Sequence, residues 1–207
     1  MSDPRPRVAL TFDAEHPDRP GASAGSIDRI LTTLRTAAAP ATFFVQGRWA
    51  QADPTSARRI AEDGHLVGNH SHYHARMTLL SDAGIRADVE DAEAAVSGAT
   101  GAPARPWFRC PFGDGHDDPR VLDLLRDLGY RNVHWHVELE DWEPWRAAAD
   151  IARDAIDGAA RHGDGAVVLL HTWPDGTADA LPMIVEGGRA AGWDFVRLDA
   201  LPEDALP

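Results

Sequence analysis

At 207 residues and 43% hydrophobic composition, the chain is long enough for one sizeable core and suits a single α/β barrel or sheet domain. Its formal net charge of -13, from 33 acidic against 20 basic residues, disfavours nucleic acid, acidic membrane surfaces and highly sulfated or uronic polymers as partners; the acidic surplus serves solubility equally well. Cys110 is the only cysteine, so an internal disulfide and a cysteine-based zinc cluster are excluded, and any metal must sit on histidine and carboxylate.

The N-terminus has no apolar stretch of signal-peptide length, and nowhere do about 18 apolar residues run together, so the sequence as written reads as a soluble cytoplasmic protein; a trimmed chain would read the same. Val8 to Phe12 is a buried parallel-sheet strand by its continuous apolar run, and it ends in Asp13, Ala14, Glu15, His16 and Asp18. Gly21 to Gly25 reads as a loop, with Ser26 as N-cap of a helix through Ile30, Leu31 and Leu34 that Pro40 stops. Ala41 to Val45 is the second strand, and a helix near Thr55 to Asp63 ends at Gly64. His65 to Gly68 is a third strand, which delivers His70, His72 and His74. The 70/74 spacing brings two imidazoles to one side on a helical turn or in a tight loop, while His72 points elsewhere.

Ser81 caps a helix with Ile85, Val89, Ala92 and Val96 on one face, closed by Gly98. Trp107 to Gly113 reads as a fourth strand with Arg109 at its end, Val121 to Leu128 as a helix ended by Gly129, and Tyr130 to Val137 as a fifth strand leading to Asp141 and Trp142. Asp150 to Ala160 is helical, Ala166 to Leu170 is a strand that terminates at His171, Leu181 to Ala191 is a final helix, and Phe195 to Leu198 closes the set. Five strand ends thus carry chemistry-bearing residues, and in a parallel barrel such ends share one face.

These segments resemble the polysaccharide deacetylases, the NodB-homology domain of the family 4 carbohydrate esterases, from Val8 to Leu198. Thr11-Phe12-Asp13 looks like the family's TFDD motif, Gly68 through His74 like its H(S/T)xxH-type metal motif and Arg109 to Gly113 like RxPYG. Val137 to Trp142 is similar to the D-W motif, and Leu169 to His171 to LxH. The resemblance implies a distorted (β/α) barrel of about seven parallel strands in one domain, 1–207 with a core of about 7–199. It also implies removal of an N-acetyl group from an N-acetylated amino sugar or related acetamide, small or oligosaccharide.

The family usually has a second aspartate as metal ligand where this chain has Ala14. Either Glu15 takes over, with His16 and Asp18 as weaker substitutes, or the site is metal-poor and the protein is a carbohydrate-binding relic. A further alternative is hydrolysis of another amide bond in a small cytoplasmic metabolite. With Glu15, His70 and His74 as ligands the site suits Zn2+, with Co2+ or Ni2+ as substitutes, and such a site lowers the pKa of bound water to roughly 7. By the same resemblance, Asp13 is the general base held by Arg109, the Phe112 N–H helps hold the oxyanion, and His171 is the general acid with Asp141 as its partner. Opposed protonation states of base and acid imply a bell-shaped pH dependence. Trp142 and Leu169 would line the pocket around the acyl methyl group. Trp142, Trp145 and Trp173 are the tryptophans placed to meet a sugar, Trp49 and Trp193 are expected to be structural, and Cys110 and the phenylalanine at 112 replace a frequent proline and tyrosine.

Overall fold

A computed structural model describes residues 5–16 and 25–207; the expected loop over Gly21 to Gly25, apart from Gly25 itself, and the substitute ligand Asp18 lie outside the described residues. The chain is of the expected α/β class, and its described residues form seven strands with parallel pairing. Its described residues form two compact units, one of 5–12, 25–42 and 135–207, the other of 13–16 and 43–134. Two strands, β1 (Arg7–Ala14) and β2 (Thr42–Val45), change unit part-way along.

In the first unit, β1 lies between β6 (Ala166–His171) and β7 (Asp194–Phe195), with Arg7 opposite Asp194 and Val8 opposite Phe195. Both β1 and β6 are apolar runs without alternation because both faces are covered. Helix α7 (Asp175–Ala190) packs against α1 (Ser26–Thr36) and α6 (Ala148–His162). The buried face of α6 is mostly small, Ala152, Ala155, Gly158 and Ala159, which permits close approach. Ser26 is not the cap of α1. Gly25 is, and the Ser26 hydroxyl instead donates to Asp175 Oδ1 at 3.0 Å. Helix α7 begins at Asp175 rather than Leu181, so Pro182 lies inside it and not in its first turn.

The second unit carries β2, β3 (Leu66–Asn69), β4 (Trp107–Phe108) and β5 (Arg131–Asn132) in that spatial order. The fourth and fifth strands are far shorter than expected. After Phe108 the chain bends into a 3-10 turn over Pro111–Gly113, in which Phe112 has φ 58°; after Asn132 the ladder stops, and Val137 makes only an isolated bridge to Val168 within the first unit. The expected helix near Thr55 is α3 (Pro54–Glu62), capped by Asp53, and a short helix α2 (Gly47–Ala52) precedes it. Helix α4 (Asp82–Thr100) is capped by Ser81 as expected, but it runs past Gly98 to the left-handed Gly101 at φ 73°. It packs against α2, α3 and α5 (Pro119–Asp127). Met77, Ile85, Val89, Phe108, Cys110, Val121, Leu124, Leu125 and Tyr130 form a core cluster in this unit. Cys110 is therefore a packing residue, its thiol pushed well up by burial. Among the described residues no helix is long and apolar enough to cross a membrane.

Two helical glycines differ in what surrounds them. A Cβ on Gly98 would meet nothing within 4 Å, whereas one on Gly188 of α7 would lie 2.5 Å from Trp193 and 2.6 Å from Phe195. Gly98→Ala should stabilise the protein by about 0.5–1 kcal/mol through helix propensity. Gly188→Ala should destabilise it by about 1–3 kcal/mol, overpacking outweighing the same gain. Denaturant unfolding of both variants checks the opposite signs.

Candidate active site

Asp13 lies near the end of β1, where successive side chains alternate between faces. Ala14 is turned into the core, fully buried, and its carbonyl takes the Gln46 N–H at 2.9 Å, while Asp13 and Glu15 come to the same side. Both acids are buried, at 3% and 4% exposure. An isolated ionised carboxylate would not be tolerated there. Asp13 is met by Arg109, whose Nη1 donates to Oδ1 at 3.0 Å, and the guanidinium is itself fully buried. Arg109 further donates from Nε to the Val133 carbonyl at 3.1 Å and from Nη2 to the His134 carbonyl at 2.9 Å, and it lies 4.2 Å over the Phe44 ring.

His70 follows β3, and the chain from there to His74 forms a tight loop, not a helical turn. Ser71 (φ 64°) and His74 (φ 57°) adopt left-handed backbone, the Ser71 N–H donating to Asn69 Oδ1 at 2.8 Å and the His74 N–H to Ser71 Oγ at 2.9 Å. His70 Nδ1 is 2.9 Å from the Arg109 carbonyl, which can only accept, so Nδ1 carries the proton and Nε2 faces the acids: Glu15 Oε2 at 3.2 Å and Asp13 Oδ2 at 3.5 Å. His74 Nε2 is in contact with the same Glu15 oxygen. Among the described residues, Glu15, His70 and His74 are the group whose ligand atoms all lie within 4.8 Å of one another.

These residues fit a divalent cation. The donor set is two imidazole nitrogens and a carboxylate, with one ring already oriented through its second nitrogen, as histidine ligands usually are. Burial lowers the His70 pKa, but the charge of Asp13 and the bond to Glu15 outweigh it, so the net shift is upward and the spot attracts positive charge. Burial also lowers the His74 pKa, and there it prevails, which favours the neutral ligand form. His16, the weaker candidate, has Nε2 3.2 Å from the other Glu15 oxygen and its ring 4.5 Å from that of His74. His72 is not in the group; it packs on Tyr73, and its Nδ1 would lie 2.3 Å from a Cβ on Gly47.

Phe112 is more than half exposed, with its ring 4.4 Å from His74 and under the Arg76 guanidinium at 4.5 Å. The first unit holds the remaining residues. Asp141 Oδ1 lies 2.7 Å from His171 Nδ1, and its Oδ2 takes the His171 N–H at 2.8 Å and the Thr177 hydroxyl at 2.5 Å. The carboxylate therefore accepts three bonds, which makes Nδ1 the protonated nitrogen of neutral His171 and Nε2 the one whose protonation changes. Trp142 stands edge-on to His171 at 5.0 Å and Trp173 is tilted to it at 6.2 Å; both are half-buried, Leu169 is buried in β6, and Trp145 is exposed. Trp49 and Trp193 are buried at 7% and 6% exposure, as structural residues should be. Thr177 had no signal in the sequence, where it stands ahead of the helix expected from Leu181.

The family model for polysaccharide deacetylase matches residues 1–133. The chitooligosaccharide deacetylase of Rhizobium leguminosarum bv. trifolii is 35% identical over 170 residues, 82% of this chain and 73% of that protein. The peptidoglycan N-acetylglucosamine deacetylase of Listeria monocytogenes is 31% identical over 200 residues, 97% of this chain but only 40% of that longer protein. Among solved structures, a protein of Bacillus anthracis described as a CE4 family pseudoenzyme matches with TM-score 0.83 at 26% identity, over 95% of this chain and 65% of that one, and a mutant of it is described as having restored enzymatic activity. The matched residues include Asp13, Glu15, His70, His74 and Arg109, and on this evidence the chain belongs to the polysaccharide deacetylase family.

Proposed function

We propose that the protein removes the N-acetyl group from an N-acetylated amino sugar with the help of a divalent metal, zinc in the first place and cobalt or nickel as substitutes, held by Glu15, His70 and His74. The observation that carries this reading is the position of Glu15, one residue beyond the family's usual second acid yet in contact with both imidazoles. A bound ion would supply Lewis acidity and a more acidic water.

Asp13 acts as general base, taking a proton from water, with Arg109 holding its Oδ1. Arg109 serves it by orientation, donating from Nη1 to Asp13 while Nε and Nη2 hold two carbonyls. His171 acts as general acid: Nε2 delivers a proton to the leaving amine, and the Asp141 carboxylate keeps the ring in the tautomer that can do so. The Phe112 N–H is the donor proposed for the oxyanion. Trp142, Leu169 and Trp173 are assigned to the acyl and sugar contacts, an apolar wall suiting a methyl group.

A second reading, a carbohydrate-binding relic, draws support from the Bacillus anthracis relative and from Ala14. Retention of the base, its arginine, both histidines and the His171–Asp141 pair speaks for catalysis.

Asp13→Asn and His171→Ala should each lower kcat on the order of 100-fold or more. Steady-state acetate release measures this, and turnover near that of the wild type would remove the residue concerned from its role. Glu15→Ala should reduce bound zinc much more than His16→Ala does. Equal metal contents by elemental analysis would refute the ligand assignment. Substrate class is tested by comparing N-acetylglucosamine oligomers with simple N-acetyl amines: release confined to the non-sugar amides would replace the sugar reading by the other amide.

A further inference from the structure

Asp88 plays no part in the chemistry above, yet its side chain is buried, at 6% exposure, in the middle of α4, where aspartate is a poorer helix former than alanine. Its two oxygens accept consecutive backbone N–H groups, His72 at 3.0 Å and Tyr73 at 3.1 Å. These are inner residues of the five-residue loop that begins at His70 and ends at His74. The next residue of α4, Val89, accepts from Asn69 Nδ2 at 3.0 Å, so one turn of one helix grips both the start and the middle of the loop. The Gly47 N–H closes on the Ser71 carbonyl at 2.9 Å.

The loop needs such a grip. Ser71 and His74 are non-glycine residues at φ 64° and 57°, conformations that each cost on the order of 1 kcal/mol and persist only where the surroundings over-determine them. Released, they would relax toward ordinary backbone, and the two imidazoles would separate.

We infer that Asp88 is a positioning residue for the metal centre, its carboxylate clamping the His72 and Tyr73 amides so that His70 and His74 hold Nε2 toward the same point as Glu15. The inference rests on the reading of Glu15, His70 and His74 as a metal site. Asparagine at 88 keeps the shape but turns one acceptor into a donor facing an N–H; alanine removes both acceptors.

The test is the zinc dissociation constant of wild type, Asp88→Asn and Asp88→Ala, by competition with a chromogenic chelator, together with visible spectra of the cobalt-loaded proteins. Asp91→Ala, on the exposed side of the same helix, is the control. Asp88→Asn should weaken zinc binding by about 10–100-fold and alter the cobalt bands, with Asp91→Ala matching wild type. Wild-type affinity and an unchanged cobalt spectrum in Asp88→Asn would overturn the inference, even with a lowered melting temperature, because a purely structural role moves stability alone. Should Asp88→Ala fail to fold, Asp88→Asn decides by itself. Failure of the wild type to bind zinc would overturn the metal reading, and the inference with it, before any variant is compared.

Discussion

The buried guanidinium of Arg109 is the constraint on which the cluster of Asp13, Glu15, His70 and His74 depends. It is fully out of water, and it is tolerated because Asp13, the carbonyls of Val133 and His134 and the face of Phe44 surround it. Through its own backbone it also reaches β3, donating to the Asn69 carbonyl at 3.0 Å and accepting from His70 Nδ1. One residue thus sets the orientation of Asp13, the tautomer of His70 and the path of the chain after β5. Removing one partner of such a buried pair costs about 3–5 kcal/mol. Lysine could not replace it, since a point charge lacks the planar fork that meets these separate acceptors. The same bonds explain how β4 and β5 manage with two residues each: the arginine side chain continues the cross-linking where the ladder stops.

The second constraint is the period of a strand. Asp13 and Glu15 share a side because they are two apart on extended backbone, and Ala14 between them belongs to the core. An acid at position 14 in the same strand geometry would point into apolar packing. The displacement by one residue, with a side chain one methylene longer, is therefore a self-consistent alternative to the family's usual pair of adjacent aspartates.

Much of this was legible because it is local. Continuous apolar runs marked β1, β2 and β6, and the polar residues following them were recognisable as strand-end chemistry. The two histidines four apart limited themselves to a turn or a loop, but the choice between them rested on left-handed Ser71 and His74, which no residue type announces. The fourth and fifth strands were overestimated because Trp107 to Gly113 and Tyr130 to Val137 have strand-like composition, whereas Pro111 and the hydrogen bonds to Arg109 end the pairing early. Gly98 looked like a helix end, though only Gly101 adopts the left-handed conformation that ends α4. Asp88 and Thr177 were invisible for a different reason: each acts on a partner 15 or more residues away, and neither the spacing nor the residue type encodes that partner.

The central claim is that Glu15, His70 and His74 hold a metal on which deacetylation depends. Acetate release from N-acetylglucosamine oligomers by metal-stripped and zinc-reconstituted protein, measured side by side, tests it most directly. The account predicts release from the reconstituted protein and none from the stripped one. Equal release from both would contradict the metal centre, and no release from either, with no zinc retained, would leave the fold as a binding relic.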